Sequence, residues 1–426
     1  MNRLLSVPAL VIGLLFTACE KKGFDYKMYQ ATLEDIDSVY FSATDKMLIA
    51  DGQARLDFIV EAYRHLTLST GKDTFELVDL KQFPEGVLKV IEEVSGREVG
   101  LSYSSTTIPV DTVKFHAEIG PVRSETKKVA LREKPVLPPK VYVDVIFHVW
   151  ELNPTHSSYD VSSYQNVTHE QLVAAVQYMN ELINNKWSHS PNGTSANVEF
   201  RLAAKNYLGQ TLAQPGFNKQ LYSDNVKVNP LATSISYTDV IAYINTNKAT
   251  LIWNPKAFLN VQVLPMGTNY ATSAGYPAKQ LAPATGEEAV LGIPTTAVDE
   301  NDFTVDYANT CVGLPRTIFF PGFERKIEAF KWIGNFYGLY TPLYGTSGRL
   351  HHDYCYDTRK FNGQHPFNAS YAFAMKVGID NDKYVTDNVM DDSRYPTLVN
   401  SITADQVARM RAVMAKCPGR MNSKTQ

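Results

Sequence analysis

The chain has 426 residues, of which 44% are hydrophobic and 20% are charged, a mixture that excludes collagens, long coiled coils and wholly disordered chains. At roughly 150 residues per domain, this length predicts two or three domains. The formal net charge is −3, from 41 basic and 44 acidic side chains, so the chain lacks the basic field that nucleic-acid binding requires.

The N-terminus has the pattern of an export signal. Arg3 supplies a short positive region, and residues 4–16 form an apolar run that is too short to span about 30 Å of hydrocarbon. The run ends at Thr17-Ala18-Cys19, and small residues before a cysteine resemble a bacterial lipobox, in which the signal is cleaved and the cysteine is acylated. We therefore expect a signal peptide over residues 1–18 and a lipidated Cys19, followed by a tether over residues 19–28. The tether is expected to hold the protein on the bacterial outer membrane. The alternative is an ordinary cleaved signal in which Cys19 is incidental.

The sequence pattern of residues 29–134 predicts an all-β domain. Short β-prone runs such as 54–60 and 110–119 are separated by turn sequences, including Ala50-Asp51-Gly52. This spacing favours a β-sandwich, and residues 48–54 resemble the start of immunoglobulin-like spacer domains on bacterial surface proteins. Residues 135–140 contain three prolines, which favour a stiff, extended linker, and we place the domain boundary there.

The pattern of residues 141–426 predicts a mixture of helices and strands. We therefore expect the whole chain to have an α+β fold. A strongly β-prone run covers 141–150, and further strands are expected at 198–202 and 259–263. A helix is predicted after Thr168, which forms a capping box with Gln171, and another over 323–337. The last helix is predicted from Thr403 to Lys416, with Gln406 completing a second capping box.

Residues 141–418 contain a series of short segments that occur in a fixed order: 147–149, Asn180 with Asn184, 200–203, 259–261, 274–277, 333–342, 388–391 and 403–411. In these segments and their order, the chain resembles zinc metallopeptidases of the pappalysin/cytophagalysin type, a branch of the metzincins. The resemblance implies a metzincin-like domain that follows the β-sandwich, with Met390 in the position of the family's Met-turn methionine.

The family's zinc site needs two histidines at i and i+4 of a helix, a glutamate between them as general base, and a third histidine beyond a glycine turn. Matching residues 338–340 to the family's Gly-Leu-Tyr sets the register. The four positions are then occupied by Lys331, Trp332, Asn335 and Thr341. The family's tyrosine after the Met-turn methionine is replaced by Asp392, and no H-E-x-x-H occurs anywhere in the chain. No catalytic residue is retained, and we expect no cofactor.

Histidines elsewhere in the chain are further candidates for metal ligands. His351, His352 and Asp353 form the densest cluster, and adjacent histidines followed by a carboxylate can chelate a metal, although a polar surface loop is the alternative. His148 lies in a β-prone run and is expected to be a hydrogen-bonded core residue.

Two further patterns leave alternatives open. The polar stripe of Glu324, Glu328, Lys331 and Asn335 is either a solvated helix face or the wall of the family's cleft. Beyond Cys19, the chain contains three cysteines, which allow three disulfide pairings with one thiol left free. They are Cys311, Cys355 and Cys417.

Three functions follow from this reading. The first is a membrane-anchored lipoprotein with a catalytically degenerate metallopeptidase-like domain, which binds or scaffolds a peptide, protein or glycan-bearing ligand and no nucleic acid. The second is an active zinc-dependent metalloendopeptidase, which requires zinc ligands that the sequence does not supply. The third is a purely structural surface protein whose cleft has been filled.

Overall fold

The computed structural model describes residues 30–155, 166–222, 237–264, 272–273, 289–290, 293–294, 303–320, 327–345, 353–369, 373–391, 395 and 398–425. No helix in these ranges is long and apolar enough to cross a membrane. The signal peptide, Cys19 and the tether lie outside the described residues, so export and lipid anchoring remain predictions.

The N-terminal unit, residues 30–132, is built from strands and two short 3-10 turns. In chain order the strands are β1 (Ser38–Ala43), β2 (Met47–Ile49), β3 (Leu56–Thr67), β4 (Asp73–Val78), β5 (Leu88–Glu92), β6 (Arg97–Glu98), β7 (Ser102–Tyr103), β8 (Thr112–Ile119), β9 (Val122–Arg123) and β10 (Lys127–Arg132). The first sheet has the order β1-β3-β4, with β7 also paired to β3. The second has the order β2-β10-β8-β5-β6, with β9 paired to β8.

The two N-terminal sheets share one apolar core. Phe58 of the first sheet lies between Phe41 and Phe115, at ring-centroid distances of 5.3 and 5.0 Å, and Phe115 belongs to the second sheet. The strand expected from residue 110 begins at Thr112, and Val110 is exposed. An immunoglobulin-like assignment of this unit stays a prediction.

The C-terminal unit follows residues 133–140, which form neither helix nor strand. Its elements are β11 (Val141–Leu152), α1 (His169–Ile183), β12 (Val198–Leu202), β13 (Phe217–Tyr222), α2 (Tyr237–Thr246), α3 (Lys248–Leu251), β14 (Phe258–Leu264), β15 (Thr272–Ser273), β16 (Ala289–Val290), β17 (Ile293–Pro294), α4 (Tyr307–Thr310), β18 (Cys311–Pro315), α5 (Ile327–Phe336), β19 (Leu343–Tyr344), β20 (Phe361–Asn362), β21 (Met375–Val377), β22 (Lys383–Val385), α6 (Ala404–Lys416) and β23 (Ser423–Lys424).

The long strand β11 organises the main sheet, whose order is β12-β11-β14-β18-β15. β12 pairs with the first half of β11 and β13 with the second half, both in parallel, while β15 and β23 pair antiparallel to their neighbours. Because side chains alternate along β11, Val145 and Phe147 face the core that α1, α5 and α6 complete. Trp150 faces the opposite side, in a smaller core with α2, α3 and α4.

The local signals for helices are borne out. Thr168 and Gln171 form the capping box of α1, and Thr403 and Gln406 form that of α6. The described part of the second predicted helix begins at Ile327, and its expected first turn lies outside the described residues.

The N-terminal unit docks on the C-terminal unit at several points. The Lys383 backbone N donates to the Tyr40 hydroxyl at 2.6 Å, and the Lys383 ammonium donates to the Glu61 carboxylate at 2.6 Å. Three further ion pairs cross the same boundary. They are Lys46–Asp380 at 2.7 Å, Lys127–Asp382 at 2.8 Å and Arg132–Asp357 at 3.3 Å. Residues 133–140 are therefore not the only connection between the two units.

Candidate functional site

Helix α5 carries the candidate site, and a glycine turn ends it. The Leu339 N–H donates to the Gly334 carbonyl and the Gly338 N–H donates to the Asn335 carbonyl, both at 2.9 Å, which is the bonding pattern of a Schellman motif. Gly338 has φ = 88°, a left-handed conformation that side chains disfavour. The helix therefore ends at this glycine, and Thr341 follows three residues beyond it.

Met390 packs directly against α5. A Cβ placed on Gly334 would lie only 2.8 Å from the Met390 sulfur, so the absence of a side chain at this position lets the methionine approach the helix. The turn around Met390 is fixed by Asn388, whose side-chain oxygen accepts from the Met390 N–H at 2.9 Å. The Asn388 amide in turn donates to Gln406 of α6 at 2.8 Å.

The four sequence-predicted positions lie on α5 and just beyond its turn, and all four side chains are partly exposed. The Lys331 ammonium donates to the Asp391 carbonyl at 3.4 Å, and the Asn335 amide donates to the Lys331 carbonyl at 2.9 Å. Trp332 packs against the main core, and its indole N–H has no hydrogen-bond partner among the described residues. Lys331 thus links the helix to the segment that follows Met390.

A buried ion pair lies beneath this contact. The Lys376 ammonium and the Asp391 carboxylate are 3.3 Å apart, and both side chains are 0% exposed. The Lys376 nitrogen also lies 4.8 Å from the centre of the Phe361 ring. Burial lowers the pKa of Lys376, and the neighbouring Asp391 opposes that shift. Asp391 therefore connects α5, through its carbonyl, to β21, through its carboxylate.

Arg409 of α6 holds the glycine turn, a role that the sequence did not reveal. Its Nε donates to the Gly338 carbonyl at 2.5 Å, and its guanidinium lies 5.0 and 4.8 Å from the ring centres of Tyr340 and Tyr354. The helical spacing could have predicted that Arg409 is buried. Arg409 lies one turn of α6 from the buried Gln406 and Val413, so it falls on the face of the helix that packs against the core.

The residues at the site do not fit zinc. A protonated lysine repels the cation, an indole has no lone pair to offer it, and an amide is a poor ligand beside imidazole. Within the described ranges, no group of three or more His, Cys, Asp or Glu side chains is arranged to hold a metal ion. Asp392 lies outside those ranges.

The alternative metal cluster is only partly described. His351 and His352 lie outside the described residues. Asp353 is buried, and its carboxylate accepts from the Cys355 N–H at 3.2 Å and from the Thr358 hydroxyl, and pairs with Lys360 at 3.2 Å. These bonds account for Asp353 as a structural carboxylate within its own loop.

The structure also tests the expectations for His148 and for the three cysteines beyond Cys19. His148 is a core residue as expected, bonded to Asn260 at 3.0 Å and to Asn218 at 2.8 Å, and burial lowers its pKa to about 4. None of the three disulfide pairings is formed, since the three cysteines are free, buried thiols. They are Cys311, Cys355 and Cys417.

Comparisons with known proteins give structural matches alone. No protein-family model matches the chain, and no curated protein matches it in sequence. Mature mirolysin of Tannerella forsythia in complex with a cleaved peptide is 19% identical, with a TM-score of 0.47 over 67% of this chain and 96% of that chain. Promirolysin of the same organism is 17% identical, with a TM-score of 0.40 over 67% of this chain and 85% of that chain. These similarities assign no role to any residue of this chain.

Proposed function

We propose that the chain is an exported, lipid-anchored protein whose metallopeptidase-like domain has lost catalysis and binds a polypeptide in the cleft beside α5. The observation that carries the proposal is the combination at that helix. A methionine turn and a glycine turn frame α5 as a zinc site would require, yet the ligand positions hold Lys331 and Asn335.

The chemistry at these positions supports binding rather than hydrolysis. General-base catalysis contributes about 10²- to 10⁴-fold, and Trp332 cannot supply it. The side chains of Lys331, Trp332, Asn335 and Thr341 do not form a ligand set for the Lewis acid that would activate water near neutral pH. An active zinc metalloendopeptidase would need ligands that α5 does not carry.

The polar groups that remain are suited to a peptide backbone. Lysine offers three donors, and asparagine offers both a donor pair and an acceptor, which match peptide carbonyl and amide groups. The side chains of Lys331, Asn335 and Thr341 are all partly exposed, which favours an open cleft over a filled one. A purely structural role is therefore the less supported reading.

A combined metal and cleavage assay tests the proposal. The mature protein is purified without chelators, its zinc content is measured by mass spectrometry, and casein cleavage is followed with and without added zinc. We expect substoichiometric zinc, no cleavage, and a melting temperature that chelators do not change, because no metal affinity is coupled to folding. One tightly held zinc per chain, together with chelator-sensitive cleavage, would refute the loss of catalysis.

A further inference from the structure

Strand β4 forms one edge of the first N-terminal sheet. In the part of the chain that the structure describes, β4 pairs with β3 alone, in an uninterrupted antiparallel register over all six of its residues. The hairpin that joins the two strands is closed by the Leu68 N–H, which donates to the Lys72 carbonyl at 2.9 Å. Among the described residues, the side of β4 that faces away from β3 therefore has no partner strand.

The closing bond of the hairpin determines which backbone groups of β4 point outward. Bonded positions recur at every second residue of an antiparallel ladder, so counting from the closing bond assigns Thr74 and Glu76 to the ladder with β3. Phe75 and Leu77 alternate with them, and their N–H and C=O groups therefore point away from β3. These two residues are 63% and 59% exposed, so the outward edge lies at the protein surface.

The sequence of β4 does not protect this edge in the usual way. Edge strands are commonly blocked by lysine, proline or a β-bulge, and Asp73–Val78 contains no lysine or proline and keeps its register with β3. The edge strand β12 of the main sheet, by comparison, carries the ion pair of Glu199 and Arg201. The mid-strand charge of β4, Glu76, is neutralised within the chain by Arg64 of β3. A further strand can therefore pair with β4.

Strand β4 is complementary to a second copy of itself in one antiparallel register. Because only alternate residues present outward backbone groups, a twofold axis between two copies must pass through a residue. An axis at Glu76 places two glutamates directly opposite each other, which is destabilising, and an axis at Thr74 pairs fewer residues of the strand. An axis at Phe75 places the two phenylalanines opposite each other, with Leu77 diagonal to the partner ring and Thr74 opposite Glu76.

The side chains on the outer face of the sheet support this register. Phe75 and Leu77 lie on the same face as their cross-strand neighbours on β3, His65 and Tyr63, and the rings of His65 and Phe75 are 5.5 Å apart. This face points away from the core that the two N-terminal sheets share. Pairing about Phe75 joins the apolar patches of the two copies into one and brings their most exposed rings into contact.

The opposite edge of the same sheet, strand β1, is closed. The Ala43 carbonyl accepts a bond from the Arg359 guanidinium, and Phe41 is only 2% exposed. Each copy of the first sheet therefore offers one open edge. Pairing through that edge stops at two copies and does not continue into a filament.

We propose that two copies of this chain associate through β4, as an antiparallel pair about a twofold axis at Phe75 that joins their first sheets into one continuous sheet. This interface is separate from the cleft at α5 and does not depend on what that cleft binds. Since each copy contributes one short strand, the interface belongs to the small, reversible class that buries less than about 1,200 Å².

Sedimentation velocity tests the association. Every chain carries Cys19→Ser, which excludes any effect of a lipid anchor, and the concentration is raised to about 0.5 mM. We expect a reversible dimer. Phe75→Lys places like charges on the twofold axis and should weaken the dimer at least about tenfold. Val94→Lys, at a 70% exposed apolar residue in the turn between β5 and β6, is the matched control and should leave the dimer unchanged.

Cysteine cross-linking tests the register. Phe75→Cys and Leu77→Cys are oxidised with oxidised glutathione in the same Cys19→Ser background. Opposite residues of a hydrogen-bonded pair have Cα atoms about 5.5 Å apart, within the reach of a disulfide. The two copies of residue 77 are offset by four positions, about 13 Å along the strands, which is beyond that reach. We therefore expect a covalent dimer from Phe75→Cys alone, and none from the parent chain, whose other thiols are buried.

Three results would overturn the proposal. They are a chain that stays monomeric at about 0.5 mM, a dimer that a folded Phe75→Lys does not weaken more than Val94→Lys does, and cross-linking of Leu77→Cys as fast as that of Phe75→Cys. Circular dichroism establishes that each variant is folded. If Phe75→Lys does not fold, the cross-linking comparison decides alone.

Discussion

Replacing Lys376 with methionine should reveal how strongly the buried ion pair organises the site. At the 3.3 Å separation of Lys376 and Asp391, the Coulomb attraction is about 5 kcal/mol at an effective dielectric constant of about 20. The cost of burying both charges offsets much of this attraction. Breaking such a pair nevertheless costs about 3–5 kcal/mol, because Lys376→Met leaves the Asp391 carboxylate buried without its counter-charge.

The assay is urea unfolding followed by circular dichroism, with the double substitution Lys376→Met, Asp391→Leu measured in parallel. The double variant should recover most of the lost free energy of unfolding, because an apolar pair of similar volume replaces both charges. A matched control is Lys186→Met, which breaks the exposed pair with Glu181 and should cost less than about 1 kcal/mol.

A Lys376→Met loss as small as that of the control would refute the reasoning. So would a double variant whose loss equals the sum of the losses of Lys376→Met and Asp391→Leu, since additivity would show that the two side chains act independently of each other.

Three further predictions concern other parts of the molecule. Burial, reinforced by the Asp387 charge, raises the pKa of Asp45 from 3.8 to about 7, so the folded state binds the proton more tightly and stability falls as pH rises between these values. Asp45→Asn should flatten this part of the pH–stability profile and raise the melting temperature at pH 8; an unchanged profile would contradict the assignment. Cys19→Ser should move the protein from the membrane fraction to the soluble fraction, and retention in the membrane would show that Cys19 is not the anchor. A protease cut within residues 133–140 should leave two fragments that co-elute on size exclusion, because ion pairs and hydrogen bonds cross between the units; immediate separation would show that these contacts are weak.

Local sequence signals were sufficient for much of the fold. The capping boxes at Thr168 and Thr403 depend on residues three positions apart, and the alternation of side chains along β11 depends on nearest neighbours. Both features can therefore be predicted from the local sequence. The glycine turn after α5 has the same local character, because Gly338 needs only a left-handed conformation.

The contacts that organise the site could not be predicted from the local sequence. Arg409 meets the Gly338 carbonyl across 71 positions of sequence, and Lys376 has nothing in its neighbourhood that distinguishes it from a surface lysine. Their burial depends on how distant elements pack. The docking of the N-terminal unit on Lys383 is likewise a long-range contact, and a proline-rich linker predicts only that the two units are separate.

Zinc binding by a restored site tests the central claim most directly. Isothermal titration compares the unmodified protein with the variant Lys331→His, Trp332→Glu, Asn335→His, Thr341→His, in which α5 and the Gly338 turn present the required spacing. The unmodified protein should bind no zinc, and the variant should bind one equivalent. Catalysis should remain low, because each new imidazole also needs a hydrogen-bond partner that orients it. Tight stoichiometric zinc in the unmodified protein, or none in a folded variant, would contradict the account of α5 as a zinc helix that has lost its metal.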